Sequence, residues 1–531
     1  HTLYVSPLKA LTVDVARNLL NPLADMKLSI TVETRTGDTP QSRRQRQRKS
    51  PPNILLTTPE SLALLISYPD SHTIFQKLQC IIIDELHALA STKRGDLLSL
   101  ALTRLNRWSP TARRVGLSAT IPAPNEMAAY LSKSKDSDDI KIIKAQSTKP
   151  PAIQILVGKS RLPWSGHMGL YAVPDIYEAI QSHKTSLIFV NTRAQAELLF
   201  QSLWRINDNN LSIALHHGSL SLDQRRIVEN AMVKGSLRAV VATSSLDLGI
   251  DWAAVDLVVQ VGAPKGASRL LQRIGRSNHR LQEPSKAILV PANKFEVLEC
   301  QAALNSIYNQ NLDGDRLREG GLDVLAQHIQ GIACSGPFDK HDLFLEVCNA
   351  SPYRNLSQAD FNSIVDFACD GGYALKTYDR YRRIYLKEDG LYQIANTAIA
   401  QRYRMNVGTI VESVTLKVKM RRGRVLGEVE EYFAQGLVPG DSFIFAGRLL
   451  QFEGIRETTI EVTPGKGNIP KVPSYMGGRL PLSTNLAEGV RSLLEKPASW
   501  RTLALPVQEW LEKQNKLSTL PKSNQLLVEV F

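Results

Sequence analysis

The chain has 531 residues, of which 43% are hydrophobic and 22% are charged, and its formal net charge at pH 7 is +13. That length exceeds one hydrophobic core and predicts about three or four domains. The excess positive charge favours a polyanionic partner, either nucleic acid or an anionic membrane surface. No apolar run approaches the roughly 18 residues that span a bilayer, and no signal-peptide pattern opens the chain.

The five cysteines lie far apart, and no Cys-x-x-Cys pair occurs. This spacing argues against a zinc site and against a disulfide framework, and it favours a reducing compartment. The composition therefore predicts a cytoplasmic protein that faces nucleic acid and has no membrane partner.

Short apolar runs alternate with amphipathic helical patterns along the first half of the chain, beginning with a strand and then a helix over 11–20. The predicted strands are 2–5, 53–56, 80–83, 115–117, 187–190, 213–215, 239–242 and 257–259. This alternation is typical of parallel sheets with helical crossovers. The pattern resumes after a polar, lysine-rich passage around 132–150. The break near 145–185 divides it, so we expect an α/β fold with two such sheets.

The strand at 80–83 runs directly into two adjacent carboxylates, Asp84 and Glu85, which are followed by Leu86 and His87. Open α/β sheets bind ligands at the carboxyl ends of their strands. Two carboxylates at that edge are suited to holding Mg²⁺ and to activating a water molecule. A solvated acidic turn is the alternative that these four residues alone leave open.

A second chemistry-bearing segment covers residues 271–280, in which Gln272, Arg273 and Arg276 lie close together. Arginine keeps its charge and presents a rigid fork of donors, which suits a transferring phosphoryl group. A basic surface helix is the alternative. The upstream segment 243–251 weakens that alternative, because it places hydroxyls, a glycine and two carboxylates after one strand.

A run of five cations and no acid lies at residues 41–49. A solvated helix face is the favoured interpretation of such a run. A basic helix beside a nucleic-acid groove is the functional alternative.

Seven short motifs occur in the order and spacing of a superfamily 2 helicase, and together they resemble that family specifically. They are residues 6–11, 58–61, 84–87, 118–120, 191–193, 247–251 and 272–276. Beyond residue 280 the chain resembles the Lhr-type DNA helicases, and in particular the ligase-associated DExH-box helicases. Residues 322–328, 371–374, 427–431 and 440–443 carry this closer resemblance, which covers essentially the whole chain.

The resemblance implies an ATP-dependent 3′→5′ DNA helicase and translocase of DNA repair, with ATP and Mg²⁺ as cofactors. Asp84 and Glu85 would serve the metal, and Glu85 would also deprotonate the attacking water. His87 would couple the ATP site to Ser118 and Thr120 as the domains close. The remaining nucleotide contacts implied by the family are Arg273, Arg276, Gln272, Gly249 and Asp251.

The resemblance also implies single-stranded and 3′-tailed duplex DNA as partners. The residues that would grip one strand are Ser6, Lys9, Thr58, Ser61, Asn191, Thr192, Arg193 and Thr243. Hydroxyl, amide and ammonium groups of this kind position a phosphate backbone without reading its sequence. A DNA ligase and a nuclease are further partners implied only by family association.

The family's glycine-rich phosphate loop is expected before the first strand, and the chain begins after that position, as a fragment would. One alternative is therefore that the chain alone is a nucleic-acid-binding polypeptide without ATPase activity. A separate alternative is an RNA helicase. The last residues, 526–531, resemble a core strand cut short, so we also expect a truncated carboxyl end.

The carboxyl-terminal third predicts three short helices and a hairpin, which is a winged-helix pattern with a plain helical domain as the alternative. Ser357 and Asp360 indicate a capping box, and residues 374–375 with 383–386 are the expected hairpin strands. A barrel-like β module is expected near 405–465, followed by helices. With the resemblance, the expected domains are two RecA-like domains (1–147 and 148–315), a winged helix (316–402) and a β/helical domain (403–531).

Overall fold

The computed structural model describes residues 1–119, 121, 123–134, 140–144, 149–157, 162–166, 168–247, 255–277, 284–314, 317–372, 378, 382–408, 415–465, 470–475, 482–522, 524–528 and 530. The chain forms two compact units. The first unit joins residues 1–144 to 314–411, and the second joins 145–313 to 412–531. No helix among the described residues is long and apolar enough to cross a membrane.

The first unit is built on a five-stranded parallel sheet in the order β2-β3-β1-β4-β5. Its strands are β1 Thr2–Val5, β2 Val32–Arg35, β3 Ile54–Thr57, β4 Cys80–Ile83 and β5 Arg113–Gly116. Its helices are α1 Lys9–Asp25, α2 Gln41–Lys49, α3 Pro59–Ile66, α4 Ser71–Phe75, α5 Leu86–Leu89, α6 Lys93–Trp108 and α7 Pro124–Leu131. Helix α6 is buried along most of its length, because it lies within the hydrophobic core of the unit.

The second unit contains a six-stranded parallel sheet in the order β6-β11-β10-β7-β9-β8. Its strands are β6 Ala152–Ile155, β7 Ser186–Val190, β8 Ile213–His216, β9 Ala239–Ala242, β10 Leu257–Val261 and β11 Lys286–Val290. Its helices are α8 Val173–Ser182, α9 Arg193–Arg205, α10 Leu222–Val233, α11 Ala267–Ile274 and α12 Lys294–Tyr308. Two parallel sheets with helical crossovers confirm the predicted fold class.

Three described strands of the two parallel sheets escaped the sequence prediction: β2, β6 and β11. Strands β2 and β6 are outer strands of their sheets and are only partly buried, so neither carries an unbroken apolar run. Strand β11 does carry one in residues 287–290, so its signal was present in the sequence.

The winged-helix prediction for the carboxyl-terminal part of the first unit is confirmed. Three helices, α13 Leu322–Ser335, α14 Lys340–Cys348 and α15 Gln358–Asp370, precede a hairpin of β12 Ile384–Leu386 and β13 Tyr392–Ile394, and α16 Thr397–Met405 follows. Ser357 caps α15, since its hydroxyl accepts a hydrogen bond from the Asp360 N–H at 3.0 Å.

The structure gives the hairpin a strand that the sequence did not predict. Strand β12 pairs with Tyr392–Ile394 across a turn at Asp389 and Gly390, and the predicted strand at 374–375 lies outside the described residues. An Asp-Gly pair is a strong hairpin-turn signal, so the sequence contained the information that identifies the correct partner.

The carboxyl-terminal part of the second unit is a mixed five-stranded sheet in the order β15-β14-β18-β17-β16. Its strands are β14 Thr415–Met420, β15 Val425–Glu430, β16 Ser442–Phe445, β17 Arg448–Arg456 and β18 Thr459–Pro464. The helices are α17 Glu431–Gln435, α18 Thr484–Glu495 and α19 Leu505–Leu517. Only β14 and β18 pair in parallel, and within the described strands no ladder joins β15 to β16, so the sheet is open.

A buried carboxylate attaches this mixed sheet to the parallel sheet of the same unit. Glu197 on α9 is fully buried, and it accepts hydrogen bonds from the backbone N–H groups of Ala446 at 2.6 Å and Gly447 at 2.7 Å. His217 Nε2 lies 3.1 Å from the same carboxylate. Gly447 has φ +68, and a Cβ atom there would lie 2.6 Å from the Phe200 ring, so the turn approaches α9 as closely as glycine allows.

We expect Glu197→Gln to destabilise the second unit by about 2–4 kcal/mol, because an amide group turns one acceptor oxygen into a donor that faces backbone N–H groups. Urea unfolding followed by circular dichroism measures the change. Asp208→Asn is the matched control, since Asp208 is exposed in the same unit. Equal stability of the two variants would contradict the role assigned to Glu197.

The first unit carries a buried histidine whose pKa predicts acid sensitivity. Burial, with a contribution from Arg104, lowers the pKa of His328 to about 3. The unfolded chain, with an ordinary histidine pKa near 6.5, binds the proton first as the pH falls, so stability is lost below that value. We expect the free energy of unfolding to fall by about 2 kcal/mol between pH 7 and pH 5 on this account.

The measurement is the pH dependence of urea unfolding for the unmodified protein and for His328→Leu, whose curve should be flatter over this range. His341→Gln, at an exposed histidine of the same winged helix, should retain the slope of the unmodified protein. A His328→Leu curve as steep as that of the unmodified protein would rule out His328 as the source.

Candidate functional site

The carboxyl ends of four adjacent strands bring the predicted residues of the first unit to one edge of the sheet. Val5 pairs with Thr57 and Ile83, and Ile83 pairs with Gly116. The residues that follow these strands therefore emerge side by side, as open parallel sheets require. Asp84 and Ser118 are two of them.

Both carboxylate oxygens of Asp84 accept hydrogen bonds. The Tyr4 hydroxyl donates to Oδ2 at 2.7 Å, and the Glu85 N–H donates to Oδ1 at 2.9 Å. Burial and the hydrogen bond to Asp84 raise the pKa of Tyr4, so its phenol stays a proton donor at neutral pH. The carboxylate is thus held in one orientation before any ligand binds.

Glu85 has a left-handed backbone conformation, with φ 47 and ψ 45. A non-glycine residue in this region costs on the order of 1 kcal/mol, and such residues concentrate at functional sites. The residue is held there by its neighbours, because the Leu86 N–H donates to the Leu117 carbonyl at 2.9 Å and the Ala88 N–H to the Glu85 carbonyl at 2.8 Å. Its side chain retains 19% exposure, so the carboxylate can reach a solvent molecule.

His87 connects Glu85 to the turn after β5. Its Nδ1 atom lies 3.1 Å from the Ser118 hydroxyl and accepts from the Ala119 N–H at 3.4 Å, while Nε2 lies 3.5 Å from Glu85 Oε2. Acceptance at Nδ1 assigns the proton of the neutral ring to Nε2, which faces Glu85. Burial lowers the pKa of His87, although Asp84 opposes the shift. Thr120, the other predicted partner, lies outside the described residues.

The donor set at this edge fits a magnesium ion that is shared with a phosphate ligand. Mg²⁺ is usually held by one or two carboxylates, with water and substrate phosphates completing its octahedron. Asp84 and Glu85 supply two carboxylates, and their hydrogen bonds leave further lone pairs on the Asp84 oxygens. Among the described residues no group of three or more His, Cys, Asp or Glu side chains could hold a metal ion alone.

The predicted arginines of the second unit occupy two different environments. Arg273 is 4% exposed and makes a bidentate ion pair with Asp247, at 2.8 Å from Nε to Oδ1 and 3.1 Å from Nη2 to Oδ2. Its Nη1 donates to Gln260 Oε1 at 2.5 Å, and the guanidinium lies over the Phe189 ring. In this conformation all three nitrogens of Arg273 are engaged within the unit, which the sequence did not indicate.

Arg276 lies one turn further along the chain, beyond the end of α11, and is only partly buried. Its Nη2 donates to the Asp247 carbonyl at 3.1 Å. Gln272 is also partly buried on α11. Gly249 and Asp251, the other predicted nucleotide contacts, lie outside the described residues.

Four hydroxyls expected to face nucleic acid are buried, and one of them caps a helix. Ser6, Thr58, Ser61 and Thr243 are all buried. The Thr58 hydroxyl accepts from the Ser61 N–H at 3.5 Å and so caps α3, whose first residue is Pro59, as the sequence predicted. The hydroxyls of Ser6 and Thr58 contact backbone groups, and Ser61 accepts from the Thr58 hydroxyl. Because all four hydroxyls are buried, their direct contact with a phosphate requires a change from this conformation.

Lys9 and Thr192 are the exposed members of the predicted nucleic-acid set. Lys9 forms a surface ion pair with Asp38 at 2.9 Å, and Thr192 caps α9 by accepting from the Gln195 N–H at 3.1 Å. Asn191 donates to the Ala263 carbonyl at 2.9 Å.

Arg193 donates to the Ser219 hydroxyl at 2.9 Å and stacks on Tyr475, so it is tied to the carboxyl-terminal part of its unit. Its neighbours Asn191 and Thr192 belong to the loop that follows β7. The predicted motif at 191–193 therefore sits at the junction of a strand end and a helix start.

The basic run at 41–49 forms helix α2, and most of its side chains are exposed. Arg43 and Arg46 pair with Glu33, and Arg48 makes a bidentate pair with Asp70. These partners account for much of the charge and agree with the favoured interpretation of a solvated helix face. A nucleic-acid role for α2 stays a prediction.

Sequence reasoning missed Tyr4, Gln260, Glu197 and His217. The sequence predicted Tyr4 only as a residue of a strand. Its contact with Asp84 depends on the pairing of β1 with β4, which the sequence pattern does not show. The polar residue Gln260 at the end of an apolar strand was a signal, since a buried amide needs a partner, and Arg273 is that partner.

Family models match three successive parts of the chain. Residues 1–128 match the model described as DEAD/DEAH box helicase, and residues 171–280 match the helicase conserved C-terminal domain. Residues 305–472 match the winged helix domain of the large helicase-related protein, and this match includes the mixed sheet up to residue 472.

Two curated archaeal proteins match the whole chain. The ATP-dependent helicase Lhr-Core protein 2 of Thermococcus barophilus is 36% identical to it, and the ATP-dependent helicase Lhr-Core of Methanocaldococcus jannaschii is 34% identical. The chain spans 65% of the length of each of these relatives.

A solved structure of Mycobacterium smegmatis helicase Lhr bound to single-stranded DNA and AMP-PNP resembles the chain with a TM-score of 0.69 and 34% identity. The similarity covers 78% of this chain and 55% of that one. The domain order, the winged-helix match and these relatives agree, and the chain belongs to the Lhr family of helicases.

Proposed function

We propose that the chain is the motor region of an ATP-dependent 3′→5′ DNA helicase that couples ATP hydrolysis to movement along single-stranded DNA. The observation that carries the proposal is the cluster of Asp84, Glu85 and His87 at the carboxyl edge of a parallel sheet. There an oriented carboxylate lies beside a second carboxylate with a left-handed backbone and a neutral histidine. This arrangement suits hydrolysis of a phosphoanhydride by an activated water.

In this proposal Asp84 and Glu85 hold Mg²⁺ together with the phosphates of ATP. The bound ion would neutralise charge on those phosphates. Glu85 orients the attacking water and accepts its proton. His87, whose Nε2 faces Glu85, keeps that carboxylate aligned and connects it to Ser118.

In the proposal the two arginines have different roles, one catalytic and one structural. Arg276, with Gln272, contacts the phosphates, and Arg273 holds the Asp247 segment in place through its buried ion pair. Thr120, Gly249 and Asp251 keep the roles that the family resemblance implies.

Single-stranded DNA is the proposed substrate, since the Mycobacterium smegmatis relative is described as bound to single-stranded DNA and AMP-PNP. Lys9, Thr192, Asn191 and Arg193 would contact its backbone. Backbone N–H groups in the first turn of α3, which Thr58 caps and which contains Ser61, and of α9, which Thr192 caps, would add to those contacts, because helix N-termini attract phosphates.

Ser6 and Thr243 keep their predicted backbone contacts in the proposal, after a change from the buried conformation. The 3′→5′ polarity, the DNA repair role, the cytoplasmic location and a ligase or nuclease partner rest on the family resemblance. The ligase-associated branch within the Lhr family likewise stays a prediction.

Glu85→Gln in the full-length protein should lower the DNA-stimulated ATP hydrolysis rate by at least about 100-fold, because the amide cannot accept the proton of the attacking water. Unwinding of a 3′-tailed duplex should fall in parallel. Release of inorganic phosphate and strand separation are the two measurements. Glu126→Gln, at an exposed acid of α7, is the matched control and should leave both rates unchanged.

Undiminished hydrolysis by the Glu85→Gln protein would refute the assigned chemistry. Unwinding of 5′-tailed rather than 3′-tailed duplexes would refute the polarity. Competition between 3′-tailed DNA and RNA substrates decides the nucleic-acid class, and preference for RNA would replace DNA in the proposal.

The two arginines should respond differently to substitution. Arg276→Ala should lower kcat on the order of 10³-fold with little change in melting temperature, since a phosphate contact acts on the transition state. Arg273→Ala should lower the free energy of unfolding of the second unit by about 3–5 kcal/mol, because it leaves Asp247 buried without its partner. Phosphate release and thermal unfolding distinguish the two, and a reversed pattern would contradict the division.

A further inference from the structure

Tyr4 on β1 touches the candidate metal carboxylate from the neighbouring strand. Its hydroxyl donates to Asp84 Oδ2 at 2.7 Å, and the Asp84 N–H donates to the Val5 carbonyl at 2.9 Å. The backbone and the side chain of Asp84 are thus both fixed by the same short strand. None of the motifs that carry the family resemblance includes Tyr4.

The position of the Tyr4 ring follows from strand alternation. Leu3 and Val5 point into the main core of the first unit, and Tyr4 faces the opposite side, where it packs against a smaller cluster of Ala16, Val32 and Leu56. The ring is held by apolar packing that does not depend on the hydroxyl. Removal of the hydroxyl, as in Tyr4→Phe, should therefore leave that packing intact.

A neutral donor has a specific advantage at a metal carboxylate. An arginine or lysine at this position would neutralise Asp84 and compete with a cation, whereas a phenol orients the carboxylate and leaves its charge in place. Tyr4 uses one lone pair of Oδ2, and the Glu85 N–H uses one lone pair of Oδ1. A carboxylate offers about four such positions, so two remain for a metal ion or its bound water.

We propose that Tyr4 is a positioning residue that orients the Asp84 carboxylate for Mg²⁺ bound with a nucleotide. The inference rests on the proposed function of the same site. It attributes part of the metal affinity of that site to a residue on β1, the strand beside the one that Asp84 follows. Hydrogen-bond partners of metal ligands typically contribute 10–100-fold to metal affinity.

Tyr4→Phe in the full-length protein should raise the Mg²⁺ concentration for half-maximal ATP hydrolysis by about 10-fold, with kcat at saturating Mg²⁺ recovering most of its value. A second readout is independent of turnover. Electron paramagnetic resonance of free Mn²⁺, in the presence of AMP-PNP, should show weaker Mn²⁺ binding by a similar factor.

Tyr130→Phe is the matched control, because Tyr130 donates its hydroxyl to the Gly95 carbonyl inside the same unit and does not touch Asp84. It should lower stability and leave the Mg²⁺ midpoint unchanged. A Tyr4→Phe protein that loses stability with an unchanged Mg²⁺ midpoint and unchanged Mn²⁺ affinity would overturn the proposal and leave Tyr4 a structural residue.

A double-mutant cycle with Asp84→Asn tests the route of the effect. If Tyr4 acts through Asp84, Tyr4→Phe weakens Mn²⁺ binding in the unmodified background and has no further effect in the Asp84→Asn background. Equal effects in both backgrounds would overturn the proposed route.

Failure of the proposed function has a different signature. In that case the unmodified protein lacks DNA-stimulated hydrolysis, or Glu85→Gln leaves it intact. The Mn²⁺ titration with AMP-PNP still decides Tyr4, since identical binding by the unmodified protein and Tyr4→Phe overturns the positioning role.

Discussion

Parallel pairing of the strands is the constraint on which two groups of candidate residues depend: the Asp84 group in the first unit and the Arg273 group in the second. In each of the two parallel sheets every described strand runs in the same direction, so all the carboxyl ends of that sheet meet at one edge. Residues more than 100 positions apart, such as Ser6 and Ser118, follow adjacent or nearly adjacent strands of one sheet. Chemistry that needs several polar groups close together is obtained without any long loop having to fold back.

A second constraint is that three carboxylates, the partly buried Asp84 and the buried Asp247 and Glu197, each accept hydrogen bonds from surrounding donors. Asp84 has Tyr4 and a backbone N–H, Asp247 has Arg273, and Glu197 has two backbone N–H groups and His217. A buried carboxylate without such partners costs several kcal/mol. These contacts therefore fix the orientation of each carboxylate, and in the case of Glu197 they also join the mixed sheet to the parallel sheet of its unit.

The sequence predicted the parts of the fold that local pattern controls. Unbroken apolar runs identified eight strands, Thr58 and Ser357 marked helix starts, and motif spacing identified the family. It did not identify β2 or β6, which are partly polar outer strands, or the partner of β12. Contacts between strands, such as Tyr4 with Asp84 and Arg273 with Gln260, depend on register and side-chain direction, which periodicity does not encode.

The helix-capping hydroxyls change how a strand of nucleic acid is expected to be held. Thr58 and Thr192 accept hydrogen bonds from N–H groups of the helices they cap, so each side chain is committed to its own helix. A cap leaves other first-turn N–H groups unpaired, and these carry the positive end of the helix dipole. Backbone amides bind phosphate without regard to base identity. In the proposed function, the capped helix end of each unit and the exposed Lys9 would therefore suit movement along any sequence.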